Sequence, residues 1–404
     1  MLVSLACIFL FAILGGWLFQ KLGFPKIIGM LLIGIVIGPY FMNLIDSSIL
    51  QESSNIRKVA LVIILIKAGL TIKLSDFKNS GRSAVLLSFV PACMELAAYT
   101  VFAPLFFDIS YSEAALMGSI LAAVSPAIVV PRMVELIEQK VSNKKKIPQL
   151  ILAGASFDDV VVLVLFSVFL GLVQDGNINL LSFADIPISI FTSLLIGLLS
   201  GILFLVLNKM WQSSTFLTQI YRYLILFSLA LMLVVVEARL SSIVAFSGLL
   251  AILVMTVFIN QKMVAVQVQE YSNFFSRLWI VGEIFLFVLV GSIVDVSYIS
   301  VAGLSAVLLI GLTLVIRSLA VWVSVSHSGF TVREKVFCII AYLPKATVQA
   351  AIGGIPLAVG LKCGQLILSV AVLGIVITAP LGAFLLDRYG EQLLMSDDAT
   401  VSIE

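Results

Sequence analysis

Residues 147–175 read IPQLILAGASFDDVVVLVLFSVFLGLVQD, a run almost free of charge apart from the adjacent Asp158 and Asp159. The run exceeds the ~20 apolar residues that carry a helix across a bilayer core, so it predicts a membrane span. At about 1.5 Å per residue from the lysines at 144–146, the acidic pair falls roughly 15 Å deep, near the midplane. An ionisable group is costly there and marks a cavity, a partner or an ion path. Helix capping explains the pair poorly, because the residues ahead of it are apolar and helix-compatible.

The rest of the chain agrees. Of 404 residues, 61% are hydrophobic and 11% charged, against about 45–50% and about 25% in soluble domains. Continuous apolar runs, rather than short alternating strands, exclude a β-barrel. The expected fold is an all-α polytopic membrane protein, seated in a lipid bilayer. About thirteen spans are predicted: 2–19, 27–46, 56–72, 83–107, 112–138 (interrupted), 148–173, 186–207, 218–236, 241–259, 278–294, 301–325, 334–358 (interrupted) and 364–386. Basic residues from Lys21 and Lys26 to Arg333, Lys335 and Arg388 gather in or beside alternate connections, which are therefore expected to be cytoplasmic. An odd number of spans then puts the N-terminus outside and the C-terminus inside.

The net charge of +2 is spread over many connections and forms no stripe, so no nucleic-acid partner is expected. The first apolar run has no basic residue ahead of it, unlike a signal peptide, and reads as a retained helix. With no targeting extension or long tail, the expected location is a cell membrane, in particular a bacterial inner membrane. Cys7, Cys93, Cys338 and Cys363 lack CxxC spacing, so neither a disulfide framework nor a resident metal or cofactor is expected. The connection from Asn260 to Arg277 mixes polar and apolar residues at helical spacing and is expected to lie along the membrane interface.

Two spans carry breakers at comparable places in the two halves. One reads AAVSPAIVVPRM from Ala122, with Pro126 and Pro131; the other reads YLPKATVQAAIGGIPLAVG from Tyr342, with Pro344, Gly353, Gly354 and Pro356. Proline removes a backbone donor and crowds the preceding turn, so both stretches should unwind near the membrane centre. Paired discontinuous helices point to a midplane binding site between inverted repeats, where helix ends supply dipoles and carbonyls.

Adjacent residues on a helix point about 100° apart, so one aspartate can meet a cavity while the other reaches a neighbouring helix. Burial and a neighbouring carboxylate both disfavour the charged form of such a group, so proton and cation compete for one site. Sodium and lithium prefer oxygen ligands. Ser125, Ser156, Thr347 and carbonyls at the breaks are the candidates beside the two carboxylates. Lys345 could neutralise a helix C-terminus or pair with an unoccupied aspartate. Glu95 and Arg317 each lie near the middle of a span, and two isolated opposite charges at one depth should pair.

GASFDDV at 154–160, LGFPKIIGMLLIGIVIGP at 22–39 and LPKATVQAAIG at 343–353 resemble the cation/proton antiporter superfamily, most closely its NHA-type sodium/proton exchangers. The resemblance covers nearly the whole chain. It implies a homodimer whose protomers hold a dimerisation domain and a mobile core with two crossing, half-broken helices. Mapped onto this chain, 83–175 and 299–404 would form the core and 1–82 and 211–298 the dimerisation domain, with 176–210 as the linker. Asp159 matches the principal ion-binding aspartate of the motif and Asp158 its partner.

The expected function is exchange of sodium or lithium for protons by alternating access. Potassium/proton exchange is the nearest alternative; an anion or organic-solute carrier on a related fold is a second, for which a cation near the substrate without a paired acid would be expected. An enzyme is not expected. An intramembrane aspartyl protease places its two aspartates on different helices, and a serine-type one needs a histidine at depth, whereas His327 lies in a loop.

Overall fold

The computed structural model describes residues 1–72, 81–138, 145–175, 185–211, 219–240 and 246–394. These form sixteen helices: α1 (Leu2–Lys21), α2 (Lys26–Ile37), α3 (Ser47–Thr71), α4 (Gly81–Phe106), α5 (Tyr111–Leu121), α6 (Pro126–Glu138), α7 (Ile147–Asp175), α8 (Asp185–Trp211), α9 (Gln219–Leu240), α10 (Gly248–Lys262), α11 (Ala265–Ser292), α12 (Val296–Ser324), α13 (Val332–Ala341), α14 (Thr347–Ile352), α15 (Ile355–Ala358) and α16 (Gly364–Leu394). No β-strand occurs among the described residues. Segments of α1, α4, α8, α9, α11, α12 and α16 are long and apolar enough to cross a membrane by length and composition.

A helix covers part of each expected span, and the departures have local causes. α2 stops at Ile37 because Gly38 and Pro39 follow, and a residue ahead of proline is driven out of the α region. The stretch expected to lie at the interface between 260 and 277 is largely the first half of α11. From Ala265 to Val281 it contains neither proline nor glycine, so the helix has no reason to end.

The two interrupted spans start alike. Ser110 accepts from Glu113 N while Glu113 Oε2 accepts from Ser110 N, a capping box that starts α5. Thr331 and Glu334 form the same box at the start of α13. Such a cap satisfies donors the first turn leaves open and contributes about 1 kcal/mol. Both helices are short, 11 and 10 residues, and each runs into non-helical backbone, 122–125 after α5 and 342–346 after α13. The first break precedes Pro126, which opens α6 at the position where a missing N–H costs nothing. Pro131, expected to contribute to the break, lies instead inside α6, which continues through it; membrane helices tolerate such a proline where neighbours satisfy the freed carbonyl. Gly353 and Gly354 close α14 and open α15, with Pro356 in the first turn of α15.

The chain divides into two compact units. One comprises 1–51, 75–162 and 287–404; in it α4 packs on α5 and α12, α1 on α2, and α16 on α5, α6, α12, α13, α14 and α15. An apolar core in it joins Leu87, Val129, Met133, Ile151, Phe337 and Tyr342. The other comprises 52–74 and 163–286, where α10 packs on α8 and α9. There Ser247 caps α10, its own N–H donates to Ser193 Oγ at 2.9 Å, and Asn260 Nδ2 donates to Ile72 O at 2.7 Å.

Candidate functional site

The backbone groups left open at a helix break must be met by something when buried. At the first break six of these groups have identifiable partners. Ile120 O and Ala123 O both accept from Gln349 Nε2, at 3.3 and 2.9 Å. Leu121 O accepts from Lys345 Nζ, and Ala122 O from Arg317 Nη1. Val124 N donates to Asp158 Oδ2 at 2.7 Å, and Ser125 N to Pro344 O at 2.7 Å. Four consecutive carbonyls at the negative end of α5 are thus covered by two cations and an amide, which is where positive charge is most stabilising. The carbonyls at 120–123, candidate ligands on sequence grounds, are already engaged.

The cations that do this are held by Glu95. Arg317 Nη1 lies 2.7 Å from Glu95 Oε2, and Lys345 Nζ 2.7 Å from Oε1. Arg317 Nε also donates to Tyr342 O at 2.8 Å, and its guanidinium stands 5.6 Å from the Tyr342 ring centroid. Its Nη2 reaches Asp158 Oδ2 at 3.2 Å. The planar fork of arginine suits it to join two carboxylates and two carbonyls at once. All four charged side chains are essentially shut from solvent, at 0–1% exposure. Buried charges persist only where paired and hydrogen-bonded, and this cluster meets that condition.

α16 forms the bed under both breaks. Gly374, Thr378 and Gly382 recur at every fourth position and so share one helix face. A Cβ on Gly374 would lie 3.0 Å from Leu121 Cδ2, and one on Gly382 would run into the Pro344 ring. Between them Thr378 Oγ1 accepts from Lys345 N at 2.9 Å and donates to Gly374 O at 2.8 Å.

Several predicted site residues therefore meet: Glu95, Arg317, Lys345 and Asp158 in one network, with Ser125 and Pro344 stitched through their backbones. Thr347 is buried at the start of α14, and Pro126 begins α6. Asp159 and Ser156 lie in α7, and their side chains, like that of Pro131, fall outside the described residues. Asp158 Oδ1 and Ser125 Oγ are buried and have no hydrogen-bond partner among the described residues. Sequence reasoning missed Gln349, Thr378 and Tyr342. Gln349 had a signal, being the one amide in an otherwise apolar stretch of the second broken span; the other two show none beyond their polarity.

Comparison with known proteins is consistent along the whole chain. The family profile described as "Sodium/hydrogen exchanger, transmembrane" matches residues 9–389. Human sodium/hydrogen exchanger 9B1 is 32% identical over 410 residues, covering 97% of this chain and 78% of that protein. Sodium/hydrogen exchanger 9B2 of Xenopus tropicalis is 31% identical over 411 residues, covering 97% and 75%. The solved structure of the sodium proton antiporter MjNhaP1 from Methanocaldococcus jannaschii at pH 8 superposes with a TM-score of 0.81 at 21% identity, covering 98% of each chain.

Proposed function

Because the chain belongs to the sodium/hydrogen exchanger family, we propose that it is a secondary antiporter, not an enzyme. In this reading it exchanges sodium or lithium for protons, which compete for the carboxylates of Asp159 and Asp158. The observation that carries the site is the asymmetric Asp158 carboxylate. Its Oδ2 is held by Val124 N and Arg317, while Oδ1 has no hydrogen-bond partner among the described residues. A buried oxygen in that condition fits a proton or a hard cation. Ser125 Oγ, in the same condition, is the neighbouring hydroxyl that would complete an oxygen set with Asp159, Ser156 and Thr347.

The charge network suits exchange. Arg317 and Lys345 each have Glu95 as a partner at 2.7 Å, and the Arg317 contact to Asp158 is longer, at 3.2 Å. Loading Asp158 with a proton or a cation would release that one contact while Glu95 keeps both cations anchored. An unloaded carboxylate carries its full charge and is held back at depth; a loaded one moves at lower cost. The protein works in a cell membrane as a homodimer, N-terminus outside and C-terminus cytoplasmic, crossing about thirteen times. Its core at 83–175 and 299–404 alternates against 1–82 and 211–298, with 176–210 between.

The test is proton flux in proteoliposomes carrying a pH gradient, with sodium, lithium or potassium added in turn to wild type and Asp159→Asn. Sodium or lithium should dissipate the gradient in wild type, and the variant should lose that response, as expected when an ionisable group on an ion path is removed. Full flux in Asp159→Asn, or no cation response in wild type, would remove the proposed reaction.

A further inference from the structure

The peptide group joining Ala123 to Val124 is hydrogen-bonded at both ends. Its N–H donates to Asp158 Oδ2 at 2.7 Å, and its carbonyl accepts from Gln349 Nε2 at 2.9 Å. Gln349 comes from α14, in the other broken span, and is wholly buried. Both of its contacts are to carbonyl oxygens, Ile120 O and Ala123 O, which only an amide nitrogen can meet, so chemistry fixes which way the side chain faces. The peptide lies in the non-helical stretch 122–125, where no helical ladder holds its plane.

We infer that Gln349 is a positioning residue for ion exchange: it fixes the Ala123–Val124 peptide, and through that peptide it fixes the Asp158 carboxylate. The inference rests on the reading of Asp158 as part of the exchange site. Gln349 takes the place of the missing ladder. Aligned hydrogen bonds also polarise one another, so an engaged carbonyl makes the Val124 N–H a better donor. With Oδ2 secured from that side and, until loading releases it, by Arg317, the carboxylate keeps one orientation and presents Oδ1 to the incoming load. Without Gln349 the peptide can rotate about its flanking bonds, and Asp158 loses its neutral donor while Arg317 remains. The loss falls on how well the cation is held, because Glu95, Arg317 and Lys345 keep the scaffold charged and paired.

The experiment is the cation dependence of proton flux in proteoliposomes for wild type, Gln349→Met and Gln349→Glu, with the thermal midpoint of each in detergent. Methionine is of similar length and has no donor; the glutamate is isosteric and, when ionised, only accepts. The half-saturating concentration of sodium or lithium should rise about fivefold in Gln349→Met, the scale of one hydrogen bond, and further in Gln349→Glu, with the maximal rate within about twofold. If Gln349→Met does not fold, Gln349→Glu reads the same parameter. An unchanged half-saturating concentration, with or without a lower midpoint or maximal rate, would make Gln349 a scaffold residue and overturn the inference. Wild-type exchange that Asp159→Asn abolishes but Gln349→Met leaves at the same half-saturation would sink this inference alone; absence of wild-type exchange would sink the exchange reading itself.

Discussion

The two broken spans start with the same capping box and break after similar lengths, yet they contribute different chemistry. The break after α5 offers backbone: carbonyls at 120–123, and the N–H groups of Val124 and Ser125. The break after α13 and the helix beyond it offer side chains, Lys345 and Gln349, together with the carbonyls of Tyr342 and Pro344. One span is covered and the other does the covering. Equivalent places in a repeat can thus specialise, with the exposed end of one helix met by residues of its counterpart.

The largest effect should come from Arg317, which touches both breaks. Arg317→Met would strip donors from Ala122 O and Tyr342 O and leave Asp158 and Glu95 short of a counter-charge. Losing one member of a buried ion network costs about 3–5 kcal/mol. Thermal unfolding in detergent should show a steep drop in midpoint, and a midpoint equal to wild type would mean that the breaks do not depend on it. Next come the glycines of α16. Gly382→Ala would drive a methyl into the rigid Pro344 ring, whereas Gly374→Ala would press on the end of the Leu121 side chain, at 3.0 Å. Overpacking costs about 1–3 kcal/mol in the first case and less in the second. The same unfolding assay should rank Gly382→Ala below Gly374→Ala, and the reverse order would show that the first break is the tighter one. The smallest effect belongs to the start of α13, where Glu334 of the capping box also pairs with Lys145 at 2.7 Å and Lys145 donates to Gly329 O at 2.7 Å. Lys145→Ala should lower stability by about 1 kcal/mol or less, because the lysine is partly exposed. The difference from wild type should shrink as salt is raised; an effect as large as that of Arg317→Met would contradict this ranking.

The sequence announced the helices and the places where two of them stop, because apolar length and proline are local signals. It also put Glu95 and Arg317 at one depth, and they do pair. It did not show that Lys345 shares Glu95 with Arg317, since three residues on α4, α12 and a break meet only in three dimensions. The capping boxes were written in plain sight as Ser110-x-x-Glu113 and Thr331-x-x-Glu334, and would have located the start of both half-helices. Gln349 was harder. Its role depends on which carbonyls the other span leaves open, and nothing near it in the chain says so. Pro131 shows the opposite error, a strong local signal that membrane context overrides.

Counted in their ionised forms, Glu95 and Asp158 against Arg317 and Lys345 sum to zero. A transmembrane voltage acts on net charge, at about 2.3 kcal/mol per elementary charge per 100 mV. On a quartet that carries none, the field exerts a torque but no net pull. Under the proposed exchange, the electrical sensitivity of a displacement of these four groups together would then be set by the proton or cation added at Asp158 and by any charge on the second aspartate.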